Sequence, residues 1–195
     1  MSRAGGCRLD GEGREHLDFW RRFFRDARPR IVEFRDDRGC AVAYTDGAEE
    51  ASKVGIGGVL TKKVYFVAEA SQELVEYWKA NGDKHKVIHQ AEVLPAVVAL
   101  RTWGPRLRGR RLIIFVDNGA AKAALVKGST TSSASAELVT EFWSLAAAES
   151  VWVWVDRVPT KSNPADAPSR GERVAGARRV EAAYPGIRPL VLSGD

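Results

Sequence analysis

The chain has 195 residues, 45% of them hydrophobic and 28% charged, enough to bury one sizeable core and too few for two full domains. Its 30 Lys and Arg against 25 Asp and Glu leave a formal charge of +5, which permits a polyanionic partner without requiring one. Two cysteines, Cys7 and Cys40, exclude a disulfide framework or a Cys-x-x-Cys zinc site, and no apolar run approaches the roughly 20 residues that cross a bilayer.

The N-terminal stretch lacks the apolar segment of a signal peptide. Its first 40 residues hold ten Arg but also eight acidic residues, a poor match to an acid-poor transit peptide. An intracellular protein, cytoplasmic or nuclear, is expected, with an organelle still open. Residues 16–27 place Phe19, Trp20, Phe23 and Phe24 on one helical face with Arg21, Arg22 and Arg25 around it, so an amphipathic helix precedes the main fold. Arg28-Pro29-Arg30 breaks it, and Asp36-Asp37-Arg38-Gly39 reads as a turn between strands. Residues 41–46, 54–60 and 64–68 read as three short strands joined by turns, hence an antiparallel meander.

After Gln90 the apolar residues Ala91, Leu94, Val97 and Val98 recur at helical spacing up to Gly104-Pro105. Leu112-Ile-Ile-Phe-Val116 is a continuous apolar strand of the kind buried on both faces in a parallel sheet. A helix over 118–127 ends at Gly128, and Ser135 is the expected N-cap of the next helix, which carries Leu138, Val139, Phe142, Trp143 and Leu145. Residues 151–155 form a last strand, followed by a turn over 159–163 and a short helix near Asp166. Trp152 and Trp154 share one side of that strand, and Trp103 and Trp143 lie on helices, so all four are read as core. Trp20 and Trp78 stay open. The expected organisation is an extension over 1–38, an α/β domain with a mixed sheet over 39–171, and a partly ordered tail over 172–195.

Four acidic residues end or border apolar runs: Asp46 in AYTDG, Glu92 in HQAEVL, Asp117 in IIFVDN and Asp166 in NPADAPSRG. A buried charge must be paired, hydrogen-bonded or bound to metal. If the fourth strand lies parallel beside the first, Asp46 and Asp117 come side by side at the strand ends, with Glu92 on the first turn of the overlying helix. Each acid alone also fits a bland role: Asp46 a turn residue, Glu92 a helix-dipole partner, Asp117 a cap with Asn118, Asp166 a loop residue. His85 and His89 read as loop or helix-start residues rather than ligands. Near the acids, Gln90, Asn118, Lys122, Lys161, Asn163 and Arg170 carry groups that can bond phosphates or the 2′-hydroxyls that mark RNA.

AYTDG, QAEVL, FVDN and NPAD-PSRG, in this order over residues 42–171, resemble the ribonuclease H domain of retroelement (retrotransposon) reverse transcriptases. The resemblance implies a ribonuclease H-like fold, with a five-stranded mixed sheet in the order 3-2-1-4-5 flanked by helices. It implies a metal-dependent endonuclease that hydrolyses the RNA strand of an RNA–DNA hybrid with two Mg²⁺ ions, Mn²⁺ serving as a substitute. Asp46, Glu92, Asp117 and Asp166 are then the catalytic and metal-binding residues. Asp46 bridges the ions, Glu92 and Asp117 hold one with it, and Asp166 completes the other. Partners are nucleic acid and a reverse transcriptase polymerase domain or ribonucleoprotein, with no membrane.

Two departures stand out. Residues 158–165 hold no histidine, where many members of that family have one, and residues 127–135 leave no room for a basic protrusion. The densest basic run, Arg101, Arg106, Arg108, Arg110 and Arg111, can neutralise phosphates or be a solvated turn, but lies about 15 Å beyond Glu92 at the helical rise. A weak or inactive domain kept as a nucleic-acid-binding or scaffold module is the competing expectation. An integrase, resolvase or exonuclease relative would arrange its acids differently.

Overall fold

A computed structural model describes residues 10–26, 39–50, 53–61, 63–81 and 87–183. The expected break at Arg28-Pro29-Arg30, the turn at Asp36-Asp37-Arg38, and Cys7 and His85 lie outside them. The chain divides into two compact units, one holding the first helix and the other the sheet with the remaining helices.

The first helix, α1 (Gly11–Asp26), begins five residues earlier than its aromatic stripe suggests, because the Asp10 carboxylate accepts the Gly13 N–H at 2.8 Å and caps the first turn. Phe19, Trp20, Phe23 and Phe24 form a chain of ring contacts along it. Leu17, Trp20 and Phe24 are exposed.

The second unit is α/β, built on a mixed sheet of six strands: β1 (Cys40–Glu50), β2 (Lys53–Leu60), β3 (Val64–Glu69), β4 (Arg111–Val116), β5 (Trp152–Arg157) and β6 (Arg178–Arg179). The five-stranded expectation is corrected. Read from the far edge the order is 6-3-2-1-4-5 in place of 3-2-1-4-5, because Arg178 and Arg179 pair in parallel with Val64 and Tyr65 and extend the sheet beyond β3. The β1-β2-β3 meander is antiparallel, and β4 and β5 join β1 in parallel.

The helices of this unit are α2 (Gln72–Asn81), α3 (Ile88–Trp103), α4 (Gly119–Lys127), α5 (Ser133–Ala148) and the single turn α6 (Asp166–Ser169). The helix α2 has no counterpart in the sequence reading. Its inner face is only Leu74, Val75 and Trp78, too few to register as a period, and Trp78 proves to be core at 1% exposure. Ser132, not Ser135, stands at the N-cap of α5. Ser135 is buried one turn inside, where its hydroxyl lies 2.8 Å from His89 Nδ1. His89 is thereby a structural residue of the α3–α5 contact. At α4 the expected signals hold: Asn118 Oδ1 accepts the N–H groups of Ala120 and Ala121, and Gly128 closes the helix with φ +70°.

α3 packs on β1 and β2 and against α5, over the sheet face that carries Ala41, Ala43, Leu112, Ile114 and Val155. The opposite face has a smaller cluster, Val59, Tyr65 and Ala165, covered by α6 and the segment after it. There β4 and β5 are only partly covered. Ile113 and Phe115 are half-buried, not enclosed as the apolar run suggests, and Trp154 is 67% exposed, which removes it from the core. The Arg101–Arg111 run is partly absorbed into the fold, with Arg101 on Glu141, Arg108 on Glu149 and Arg110 donating to the Gly39 carbonyl. No helix among the described residues is long and apolar enough to cross a membrane.

Candidate metal centre

The register of β1 and β4 sets the first pair of acids. Tyr44 stands opposite Phe115 in a parallel ladder, so two residues further along each strand Asp46 and Asp117 lie on the same face at the same end. Gly47 brings in the third. A Cβ there would sit 2.0 Å from the Ala91 carbonyl oxygen, so only glycine lets α3 approach β1 this closely. That carbonyl is also relieved of its helical partner, since the residue four positions on is Pro95, which has no N–H. The contact delivers Glu92, the next residue, to the two aspartates.

One carboxylate oxygen from each of Asp46, Glu92 and Asp117 lies within 4.8 Å of the others. Asp46 and Asp117 are buried and Glu92 is half-buried. Glu92 Oε2 and Asp117 Oδ1 are enclosed and have no hydrogen-bond partner, and a buried orphan acceptor is costly unless something satisfies it. Three hard oxygen donors around one point, two with vacant lone pairs, fit a divalent cation. The cluster can bind a metal ion.

The electrostatics agree. Burial, followed by the charges of Asp117 and Asp46, pushes the Glu92 carboxyl up to about 8, while a hydrogen bond from Asn118 works the other way. Burial likewise raises Asp46 to about 6, against the hydrogen bond from Ser169 and with the charges of Asp117 and Asp166. The Ser169 hydroxyl lies 2.5 Å from Asp46 Oδ2 and 2.7 Å from the Asp166 carbonyl. It has one hydrogen for two acceptors, which share it.

Asp166, the fourth expected ligand, is not in this group. Its carboxylate accepts from Arg170, with Nε and Nη2 both 3.4 Å from Oδ1, and Arg170 Nη1 is bound to Glu50. Its place beside Asp46 comes from β2. A Cβ on Gly57, which pairs with Asp46 across the ladder, would fall 2.4 Å from the Ser169 nitrogen, and one on Gly55 2.0 Å from the Ser169 oxygen. These glycines let α6 lie flat on the strand.

The six residues expected to contact nucleic acid divide by environment. Asn163 is turned inward at 6% exposure, its amide donating to the Thr45 carbonyl at 3.2 Å and to Asp46 Oδ1 at 3.3 Å. Gln90 is buried at 1%, its amide donating to Ser132 Oγ and its Oε1 unpartnered. It lines a cavity of about 500 Å³ with His89, Ala123, Lys127, Thr130 and Ser132. Asn118 caps α4, and Lys122 pairs with Asp156 at 2.6 Å. Lys161 and Arg170 are exposed.

Three neighbours of the site escaped the sequence reading. Ser169 had a signal, its place three residues after Asp166 in the quoted motif. Arg157, whose Nε donates to the Asp117 carbonyl at 2.9 Å, had only its position just beyond the strand read over 151–155. Glu50 had none. No protein-family model matches the chain, and no curated protein matches it.

Proposed function

We propose that the chain is a metal-dependent nuclease with a ribonuclease H-like fold of the retroelement kind, hydrolysing the RNA strand of RNA–DNA hybrids. The observation that carries this reading is the meeting of Asp46, Glu92 and Asp117, from three separate elements, around buried oxygens that no protein group satisfies. Its further support is the motif set read from the sequence, whose fourth member lies against Asp46 through Ser169 and Asn163.

Asp46, Glu92 and Asp117 would hold Mg²⁺ or Mn²⁺, with Asp166 beside them. When bound, two such ions would activate the attacking water and stabilise the leaving oxygen of the phosphodiester. The chain's own groups orient and neutralise. Ser169 and Asn163 fix the Asp46 carboxylate, and Asn118 caps the helix that follows Asp117. Lys161 and Arg170 offer exposed cations to the phosphate backbone. The cavity at Gln90 and Lys127 would give a strand room to lie.

The test is a labelled RNA–DNA hybrid incubated with the protein and Mg²⁺ or Mn²⁺, beside Asp117→Asn. Metal-dependent cleavage of the RNA strand that disappears in the variant is expected. An intact hybrid with the parent protein rejects the enzyme reading. One observation favours the second reading, a nucleic-acid-binding or scaffold module: the Asp166 carboxylate is engaged by Arg170 instead of joining the other three acids.

A further inference from the structure

Asp166 is placed for a metal ligand in its backbone and withheld in its side chain. The backbone is fixed to Asp46 from two sides. The Asp166 carbonyl meets the Ser169 hydroxyl that reaches Asp46 Oδ2, and the Asp166 N–H donates to the carbonyl of Asn163, whose amide reaches Asp46 Oδ1. The carboxylate, 39% exposed, faces Arg170.

Arg170 divides its guanidinium unequally. The contact to Glu50 is close, and those to Asp166 are long, at 3.4 Å. Arg170 thus bridges the carboxylate one helical turn before it and Glu50 at the end of β1. The Nε and Nη2 donors that Arg170 turns to Asp166 lie in one plane, and the same fork matches a phosphate bidentately once the carboxylate is released. Withholding Asp166 has a physical reason in the metal-free state, since a fourth negative charge beside Asp46, Glu92 and Asp117 would add repulsion with no cation to offset it.

We propose that Arg170 is a positioning residue that holds the Asp166 carboxylate in reserve and yields it to the Asp46–Glu92–Asp117 cavity when a nucleic-acid phosphate takes the guanidinium. This rests on the metal-centre reading above and adds an order of events to it: phosphate engagement at Arg170 completes the ligand set.

The test is a double-mutant cycle on the full chain, reading Mn²⁺ and Mg²⁺ affinity by calorimetry in the absence of nucleic acid. The variants are Asp166→Asn, Arg170→Gln and the pair. Both side chains are at the surface, so folding is retained. Arg170→Gln should tighten metal binding by about tenfold, the scale on which groups around a metal site act. Asp166→Asn should change little in the parent background and should abolish the gain in the Arg170→Gln background. Equal effects of Asp166→Asn in both backgrounds would mean simple additivity of charge and would overturn the proposal, as would no gain from Arg170→Gln or no metal binding by any variant. A hybrid-cleavage arm separates the two readings. If the parent protein cuts no hybrid, the nuclease assignment fails while the cycle still decides the role of Arg170. If it does cut, Arg170→Gln should raise KM more than it lowers kcat.

Discussion

Glu92 and Asp46 bind protons in the folded chain at pH values where the unfolded chain has lost them, because their carboxyls rise from 4.5 to about 8 and from 3.8 to about 6. Without metal, the stability they contribute is complete below the unfolded values near pH 4. It is lost as pH rises through about 6 and then about 8. The loss should be on the order of a few kcal/mol, visible as a falling melting temperature between pH 5 and pH 9 in chelator. Glu92→Gln should remove the upper step, and an unchanged profile in that variant would sink the assignment. Metal affinity should run the opposite way, rising with pH as the ligands deprotonate. Ser169→Ala leaves Asp46 Oδ2 without its hydroxyl partner and should weaken metal binding by about 10–100-fold, measured by calorimetry at fixed pH. Asp46, Glu92 and Asp117 were legible because each closes or borders an apolar run. The pairing of Arg170 with Glu50 was not, since a partner 120 positions away leaves no local pattern.

At the scale of elements, the site is assembled by backbones that approach one another too closely for side chains. Gly57→Ala would force α6 off β2, because the added carbon would sit 2.4 Å from the Ser169 nitrogen and 2.7 Å from the Pro168 carbonyl carbon. About 1–3 kcal/mol of stability should be lost, as in other overpacked sites. Metal affinity should fall with it, since Ser169 and Asp46 separate. A thermal melt and a metal titration on the same variant check both, and a variant that keeps its metal affinity would refute the link. The glycines of VGIGGVL were readable as signs of a close approach, but not what would approach. β1, β3, β4 and α3 were legible because each carries a long periodic or continuous apolar run. α2 was not, since it buries three residues and exposes the rest, and β6 was not, since two consecutive arginines have no strand propensity and pair only because β3 offers a free edge.

Over the whole molecule, the three clustered carboxylates come from β1, α3 and β4, so no one element can bind metal before the sheet has formed. A ligand that binds only the folded state stabilises it, by about 2.7 kcal/mol at a hundredfold excess over Kd. Mg²⁺ or Mn²⁺ should therefore raise the melting temperature of the parent protein and leave that of Asp117→Asn unmoved. A rise of equal size in both would place the ion elsewhere. The alternation of strands and helices made a mixed sheet legible, while the strand order as far as β5 was expected only from the motif resemblance. The strand beyond β3 was hidden in a segment that reads as a tail.

That segment has a consequence for time. β5 is paired with β4 at one end of residues 158–177, and at the other the chain is strapped to the sheet, Arg178 N–H to the Lys63 carbonyl and Val180 N–H to the Tyr65 carbonyl. Farther on, Ala183 N–H reaches Thr102 Oγ1. A stretch pinned at both ends has already lost most of its loop entropy and does not swing as a lid. The Asp166 carboxylate can then change partners by side-chain rotation, which at an exposed position takes picoseconds to nanoseconds. The handover from Arg170 to the metal cavity would be fast beside any chemical step, and its cost would appear in equilibrium affinities rather than as a slow phase in turnover.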